Sequence, residues 1–281
     1  THQLTVNQRP LNATLSRQYD GTTTSAGSDL SSFDALQGGE TLTLSGSGTS
    51  ASANVANGIA MSSNGNLALV DGTGLASNYS LNSTVINITE RVLNSSGSKI
   101  YDANTDALAA DITLSNLVSG EALNHSGTAT ISSANAGSYT ITNLAGITIA
   151  DGSGGTASNY TLTGGTHNFT VNPKVVSIQG NKTYDGNTTI SSGDITSITD
   201  TVGAETLVIS SGSGTVSSAN AATYASAAIN EGTLTLGDGT GLASNYTLTG
   251  HAASSFQVTQ RVLSSSGSRI YDGSTTASSS D

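Results

Sequence analysis

Apolar residues fall along this chain in short bursts that alternate with polar ones: Thr41-Leu42-Thr43-Leu44, Val85-Ile86-Asn87-Ile88-Thr89, His167-Asn168-Phe169-Thr170-Val171 and Phe256-Gln257-Val258-Thr259. A period of two places successive side chains on opposite faces of a strand, so each burst predicts a half-buried β-strand. No stretch sustains the 3.6-residue period of an amphipathic helix. A single helical turn around Leu36 to Gly39, Leu117 to Gly120 or Val202 is the most helix the pattern allows. No apolar run approaches the roughly 20 residues of a membrane helix, and no basic-then-apolar leader precedes Thr1, so the chain is expected to be an interior piece that does not insert into membranes.

The bursts recur in register. Tyr-Asp appears at Tyr19-Asp20, Tyr101-Asp102, Tyr184-Asp185 and Tyr271-Asp272, at spacings of 82, 83 and 87 residues. Ser-Asn-Tyr follows at Tyr79, Tyr160 and Tyr246, 59 to 62 residues after each of the first three tyrosines. Between them lie Gly38-Gly39-Glu40, Gly120-Glu121 and Gly203-Ala204-Glu205, then Asp-Gly pairs at Asp71, Asp151 and Asp238. Markers in a constant order define a repeat. Three whole modules result, 9–90, 91–173 and 174–260, with 1–8 read as the closing strand of a preceding module and 261–281 as the start of a further one. Each module is expected to hold six or seven short strands: one ending at Tyr-Asp, one near Thr41 to Leu44, one at Tyr139 and Tyr224, one before the Asp-Gly turn, one at Asn-Tyr, and the closing strand. A unit this small has a marginal core and a radius of gyration of roughly 12 Å, so contacts with neighbours should matter and three in line would reach about 100 Å.

Composition sharpens the picture. About a third of the residues are Ser or Thr and 33 are Gly, with no Cys and no Trp, a balance suited to pleated surfaces and tight turns. All-β is the fold class. Without cysteine there is neither a disulfide framework nor a thiolate site, and a formal charge of −11 has the wrong sign for phosphate backbones, which excludes nucleic acid as a partner. All eight basic residues form pairs eight apart, Arg9/Arg17, Arg91/Lys99, Lys174/Lys182 and Arg261/Arg269. On a continuous strand both members share a face with the tyrosine, and the reading given to them is a solvated basic stripe, paired with carboxylates of a neighbouring module.

Lys-Thr-Tyr-Asp-Gly-Asn-Thr-Thr (182–189), Gly-Ala-Glu-Thr-Leu (203–207), Ser-Ser-Ala-Asn-Ala (217–221), Ser-Asn-Tyr-Thr-Leu-Thr (244–249) and a closing strand running into Lys or Arg resemble the YDG repeat, a sibling of the MBG repeats of large secreted bacterial adhesins and haemagglutinin-like exoproteins. The resemblance implies a small, mostly β module, immunoglobulin-like sandwich or β-grasp-like, strung in tandem as an elongated rod. It implies an extracellular place at the cell surface or in a biofilm matrix. Two positions depart from the pattern: Ala103 stands where glycine is expected, and Asn57-Gly58 where later repeats reach Tyr139 and Tyr224.

Candidate chemistry is sparse. Tyr-Asp-Gly reads as an aromatic anchor and a turn: Tyr19, Tyr101, Tyr184 and Tyr271, with Tyr79, Tyr160 and Tyr246, fill the core, Asp20, Asp102, Asp185 and Asp272 accept backbone N–H bonds, and Gly takes a positive φ. No histidine, cysteine or second carboxylate is read at a fixed offset from them, so no catalytic residue is assigned. Asp71, Asp151 and Asp238, in Asp-Gly-x-Gly loops, are candidate calcium ligands, although one carboxylate per loop also describes a plain hairpin. Calcium is thus the one cofactor considered. Eleven Asn-x-Ser/Thr sequons occur, and Asn78, Asn159 and Asn245 at one repeat position are candidate glycosylation sites. A Lys–Asn isopeptide crosslink cannot be general, because the first module has only arginines. The expected function is a non-catalytic stalk or adhesion array whose partners are its own neighbouring modules, other arrays by lateral self-association, and a host or matrix surface reached through other regions. The alternative is a polysaccharide- or surface-binding module, suggested by rows such as Thr41-Leu42-Thr43 and Thr233-Leu234-Thr235.

Overall fold

The computed structural model describes residues 2–141, 144–276 and 278–279. The chain is mostly β, with three-residue 3₁₀ turns as its only helical elements among the described residues. None of its helices is long and apolar enough to cross a membrane.

Two compact units form, one of Thr1–Lys99, Thr105–Ala134 and Ser138–Thr170, the other of Ile100–Asn104, Asn135–Gly137 and Val171–Asp281. The second module is thus divided. Its Tyr101 turn and its Asn135 loop belong to the unit that holds the third module.

In the first unit, module 1 builds a six-stranded sheet. Its order is Thr24–Ala26, Ser47–Ser50, Ala56–Ser63, Tyr79–Thr89, Arg9–Gln18, Leu30–Phe33, and a separate antiparallel pair joins Leu42–Ser45 to Ala68–Asp71. The central pairing is parallel, first strand against closing strand, from Arg9 opposite Tyr79 to Gln18 opposite Thr89. A parallel pair needs a long crossover, which the rest of the module supplies. Alternation then works as the sequence pattern predicts: Leu11, Ala13 and Leu15 point inward with Ile86 and Ile88 of the closing strand.

The second unit repeats this plan in module 3, with Ser177–Thr183 parallel to Ser255–Thr259. Here the first strand is interrupted. Lys174–Val175 pairs with Tyr246–Thr247, and fully buried Val176 turns the chain into the longer strand. In module 2 of the first unit Arg91–Val92 pairs with Tyr160–Thr161 in the same way, with Leu93 buried at the break.

One core exchange follows across the copies. Leu15 lies opposite Ile86 in module 1, whereas Gly180 lies opposite Phe256 in module 3. A Cβ on Gly180 would stand 2.8 Å from the Phe256 ring and 2.5 Å from the Asp194 carbonyl, and Gly97 meets Phe169 in the same way. Two branched side chains in one copy are thus replaced by one aromatic ring lying over a glycine in the others.

Two terminal expectations are corrected. Residues 2–8 form no strand and lie exposed, Leu4 and Val6 included; the closing strand of module 1 pairs with the first strand of its own module. Residues 260–276 likewise form no strand, although the Arg269 to Thr276 turn is made. The turns at Leu36, Leu117 and Val202 are not helical. Each is a single hydrogen-bonded reversal, Gln37 to Glu40, Val118 to Glu121 and Val202 to Glu205, whose last residue's N–H reaches the carbonyl three back at 3.0 Å.

Candidate functional site

The Tyr-Asp element ends the first strand in a turn that its own side chains build. In all four copies an aspartate Oδ1 accepts the N–H two residues on: Asp20 from Thr22 (2.9 Å), Asp102 from Asn104 (3.1 Å), Asp185 from Asn187 (3.0 Å) and Asp272 from Ser274 (2.9 Å). The residue between takes a left-handed φ, +79° at Gly21, +84° at Gly186, +82° at Gly273 and +64° at Ala103. Ala103 therefore adopts the glycine geometry despite its Cβ, at a cost of about 1–2 kcal/mol.

Beneath the turn sits the second basic residue of three of the pairs, Arg17, Lys182 and Arg269. Lys182 Nζ donates to Asp185 Oδ1 (3.1 Å), to the Asn187 carbonyl and Oδ1 (both 2.9 Å) and to the Thr189 carbonyl (2.8 Å). Arg17 reaches Asp20 and the Thr22 carbonyl, and Arg269 reaches Asp272 (3.3 Å) and the Thr276 carbonyl (2.7 Å). The Arg17 and Lys182 side chains are only 8% and 6% exposed. For Arg17 and Lys182 the solvated stripe is thus corrected: these two are buried in their own turn, where they donate to its carbonyls, while Arg9 is exposed. The Asn187 N–H and the Lys182 ammonium hold the Asp185 carboxyl below the usual carboxylate range. At Asp20 burial acts upward, but the Thr22 bonds and the Arg17 guanidinium outweigh it and the carboxyl is again lowered.

A second cluster is built by the remaining markers. Asp151 Oδ1 accepts the Ala157 N–H at 2.7 Å and so caps the 3₁₀ turn Ala157–Asn159, which delivers Asn159 and Tyr160 in fixed orientation; Asp71 to Ala76 and Asp238 to Ala243 repeat this at the same distance. The reversal ending at Glu121 brings that carboxylate to Tyr160, whose hydroxyl donates to Oε2 at 2.6 Å and accepts the Val118 N–H at 3.1 Å.

These two elements meet at the junctions. In the first unit, Tyr19 of module 1 donates to the other oxygen of Glu121, Oε1, at 2.6 Å, so one carboxylate of module 2 holds tyrosines from both modules. Their rings meet edge to face, centroids 5.4 Å apart, an arrangement worth about 0.5–1.5 kcal/mol beyond burial. Asn159 Oδ1 accepts the Val55 N–H (2.9 Å), its Nδ2 donates to Asn54 Oδ1 (3.0 Å), and Arg91 Nη1 donates to the Tyr19 carbonyl (3.4 Å). The apolar cluster runs without interruption from Leu15 and Ile88 through Tyr19 and Tyr160 to Leu93. In the second unit the same contacts recur: Tyr101 and Tyr246 on Glu205 (2.8 and 2.5 Å), rings 5.3 Å apart, and Asn245 on the Ala136 N–H (2.8 Å) and Asn135 (3.0 Å). Burial followed by the bond to glutamate raises Tyr19 and Tyr101, and pushes Tyr160 and Tyr246 up to about 12.

Several sequence readings change against this geometry. Tyr19 and Tyr101 are buried as expected, but the Glu121 or Glu205 of the following module holds each hydroxyl. Tyr184 is 41% and Tyr271 91% exposed; as core anchors these two are corrected. Asn159 and Asn245 are 1% exposed with both carboxamide atoms engaged, so the folded chain offers neither nitrogen to a sugar; Asn78 alone of the three is exposed. Asp71, Asp151 and Asp238 each accept the N–H that opens a 3₁₀ turn, and among the described residues no three metal-ligating side chains gather. Sequence reasoning missed Glu40, Glu121 and Glu205 as chemistry, although they stand 21, 20 and 21 residues after their Tyr-Asp tyrosines; the recurrent Gly-Glu was the signal, and a second carboxylate does keep a near-constant offset.

A family model described as the YDG domain matches residues 3–86 and 88–169, together more than half of the chain. No curated protein and no solved structure matches it.

Proposed function

The chain belongs to the YDG domain family, and from that membership and the doubled junction we propose that it is a non-catalytic structural array. In this reading successive β modules form the stalk of a large bacterial surface or matrix protein, extracellular, elongated, and partnered chiefly by their own neighbours. Lateral association of such arrays into fibres extends the same role. One observation supports it most: at two successive junctions the recurrent polar side chains hold one repeat to the next. Both oxygens of Glu121 and of Glu205 take tyrosine hydroxyls, and both carboxamide atoms of Asn159 and Asn245 bridge to the module before. Each of these groups is thus engaged in bonds between repeats, which supports a structural reading of the recurrent markers.

Pulling single molecules by their ends tests the proposal. Discrete unfolding events are expected, each releasing about 250–300 Å for an 82-residue repeat at roughly 3.6 Å per extended residue. Smooth extension at low force would overturn it, since a stalk must bear load. The polysaccharide-binding alternative is favoured by Thr41, Thr43, Thr233 and Thr235, which face outward between buried leucines; retention on a polysaccharide column, lost on changing these threonines to valine, would support it instead.

A further inference from the structure

Within each unit, two tyrosines from successive modules share one carboxylate. In the first unit Tyr19 and Tyr160 donate to Glu121 Oε1 and Oε2, both at 2.6 Å; in the second, Tyr101 and Tyr246 donate to Glu205 Oε1 and Oε2 at 2.8 and 2.5 Å. The rings of each pair meet edge to face, with centroids 5.4 and 5.3 Å apart. All four tyrosines are buried, whereas both glutamates are half-buried and keep a route to solvent. Tyr224 is a useful contrast within the same chain: it is also buried, but its hydroxyl donates to the Asn220 carbonyl at 2.7 Å, a far weaker base than a carboxylate.

Removing an electron from a phenol makes its hydroxyl proton strongly acidic, so a base already bonded to that hydroxyl lets electron and proton leave together. Glu121 and Glu205 are such bases, joined to the phenols by short charge-assisted bonds. We propose that each junction is an oxidative crosslinking site, at which a one-electron oxidant converts the paired tyrosines into a dityrosine that ties one module covalently to the next. At the first junction Tyr160 gives an electron to the oxidant and its proton to Glu121 Oε2, which passes the proton to solvent. Tyr19 then gives up an electron and a proton in the same way through Oε1. The two tyrosyl radicals join through the ring carbons ortho to their hydroxyls, where the unpaired spin is carried, and the proton on each joined carbon moves to its phenolic oxygen and restores both phenols. One carbon–carbon bond is formed, two electrons pass to the oxidant and two protons to solvent. Convergence of both hydroxyls on one carboxylate brings the hydroxyl-bearing ends of the rings together, so coupling within a junction draws on the high effective concentration of partners held in contact. Coupling also requires the rings to turn from their interplanar angle of 77°. Burial shields the radicals from water, and the electron leaves by transfer through the protein.

Photo-oxidation of the full 281-residue chain in dilute solution by tris(bipyridine)ruthenium(III), generated with persulfate, tests this, because the complex takes single electrons without entering the core. The wild type is expected to develop dityrosine fluorescence, to lose two hydrogen atoms per junction in its intact mass, and to yield peptides joined at Tyr19–Tyr160 and Tyr101–Tyr246, with none joined at Tyr224. Tyr19→Phe should abolish the first link and keep the second. Glu121→Gln retains an acceptor oxygen and the side-chain shape but not the base, and it too should lose the first link while the second persists as an internal control; near-ultraviolet circular dichroism checks that its tyrosines stay packed. A wild-type chain with neither link, links confined to the exposed Tyr184 and Tyr271, or a Glu121→Gln variant that gives as much Tyr19–Tyr160 product as the wild type would each overturn the proposal. None of these outcomes bears on the mechanics of the untreated chain, so failure here is separable from failure of the structural role.

Discussion

At the scale of single residues, the turn after the first strand shows how much rests on one buried cation. Lys182 offers three protons to an environment of five acceptor atoms, and Asp185 supplies the compensating charge. Lys182→Met keeps the buried stem but strands those carbonyls, so a loss of about 1.5–3 kcal/mol is expected, read as a lower midpoint in urea. The opposite sign is expected at Ala103. Its left-handed φ is paid for by a Cβ it does not need, so Ala103→Gly should raise the midpoint by about 1 kcal/mol. Both Asp20 and Asp185 have lowered pKa values in the folded chain, so the stability they lend is present above the unfolded value near 4 and is lost as pH falls through the folded ones. Much of this turn was legible: Tyr-Asp-Gly announces an Asx turn with a positive φ. The burial of the cation was not, because an even offset on a strand says which face a residue shares but not whether that face is wet.

At the scale of elements, alternation disclosed the strands and their inward residues, while pairing stayed hidden. Nothing in Arg9–Gln18 states that it runs parallel to Tyr79–Thr89, since that register depends on residues some seventy positions away. Recurrence offers a partial remedy, because the exchange of Leu15–Ile86 for Gly180–Phe256 marks two positions that share one volume. Gly180→Ala is accordingly expected to cost about 1–3 kcal/mol by overpacking, and Phe256→Leu in the same chain should recover part of that loss; a double-mutant cycle by chemical denaturation reads the coupling. Equal, additive penalties would mean the pair does not share its space. The 3₁₀ turn is a second element whose logic emerged only in three dimensions. Asp71, Asp151 and Asp238 looked like cation ligands by spacing, yet each carboxylate caps the turn that aims Asn-Tyr. Differential scanning calorimetry in excess calcium and then in EDTA is expected to give the same melting temperature, whereas a rise with calcium would restore the ligand reading.

At the scale of the whole molecule, Tyr19 and Tyr101 are each bonded by the glutamate of the following module. Period and order of markers could both be read from the sequence. The junction could not, because its partners are 102 to 110 residues apart and each recurring marker looks equally like a feature of its own module. Folding places them together through the offset of one repeat. Alkaline pH should undo that coupling. Tyr160 and Tyr246 titrate in the folded chain near 12 against about 10 unfolded, so the stability held by their protonated form is complete below pH 10 and disappears as pH rises toward 12. Ultraviolet absorbance of tyrosinate should show a late, cooperative step accompanying unfolding. The most direct test of the central claim, that a shared carboxylate locks successive modules into an extended array, is small-angle X-ray scattering of the wild-type chain beside the Glu121→Ala/Glu205→Ala double variant at a concentration low enough to keep both monomeric. A wild-type maximum dimension near 100 Å, on the expected size of three modules in line, with a broadened, flexible profile in the variant, is the expected result. A compact wild-type particle, or a variant whose profile superimposes on the wild type, would contradict it.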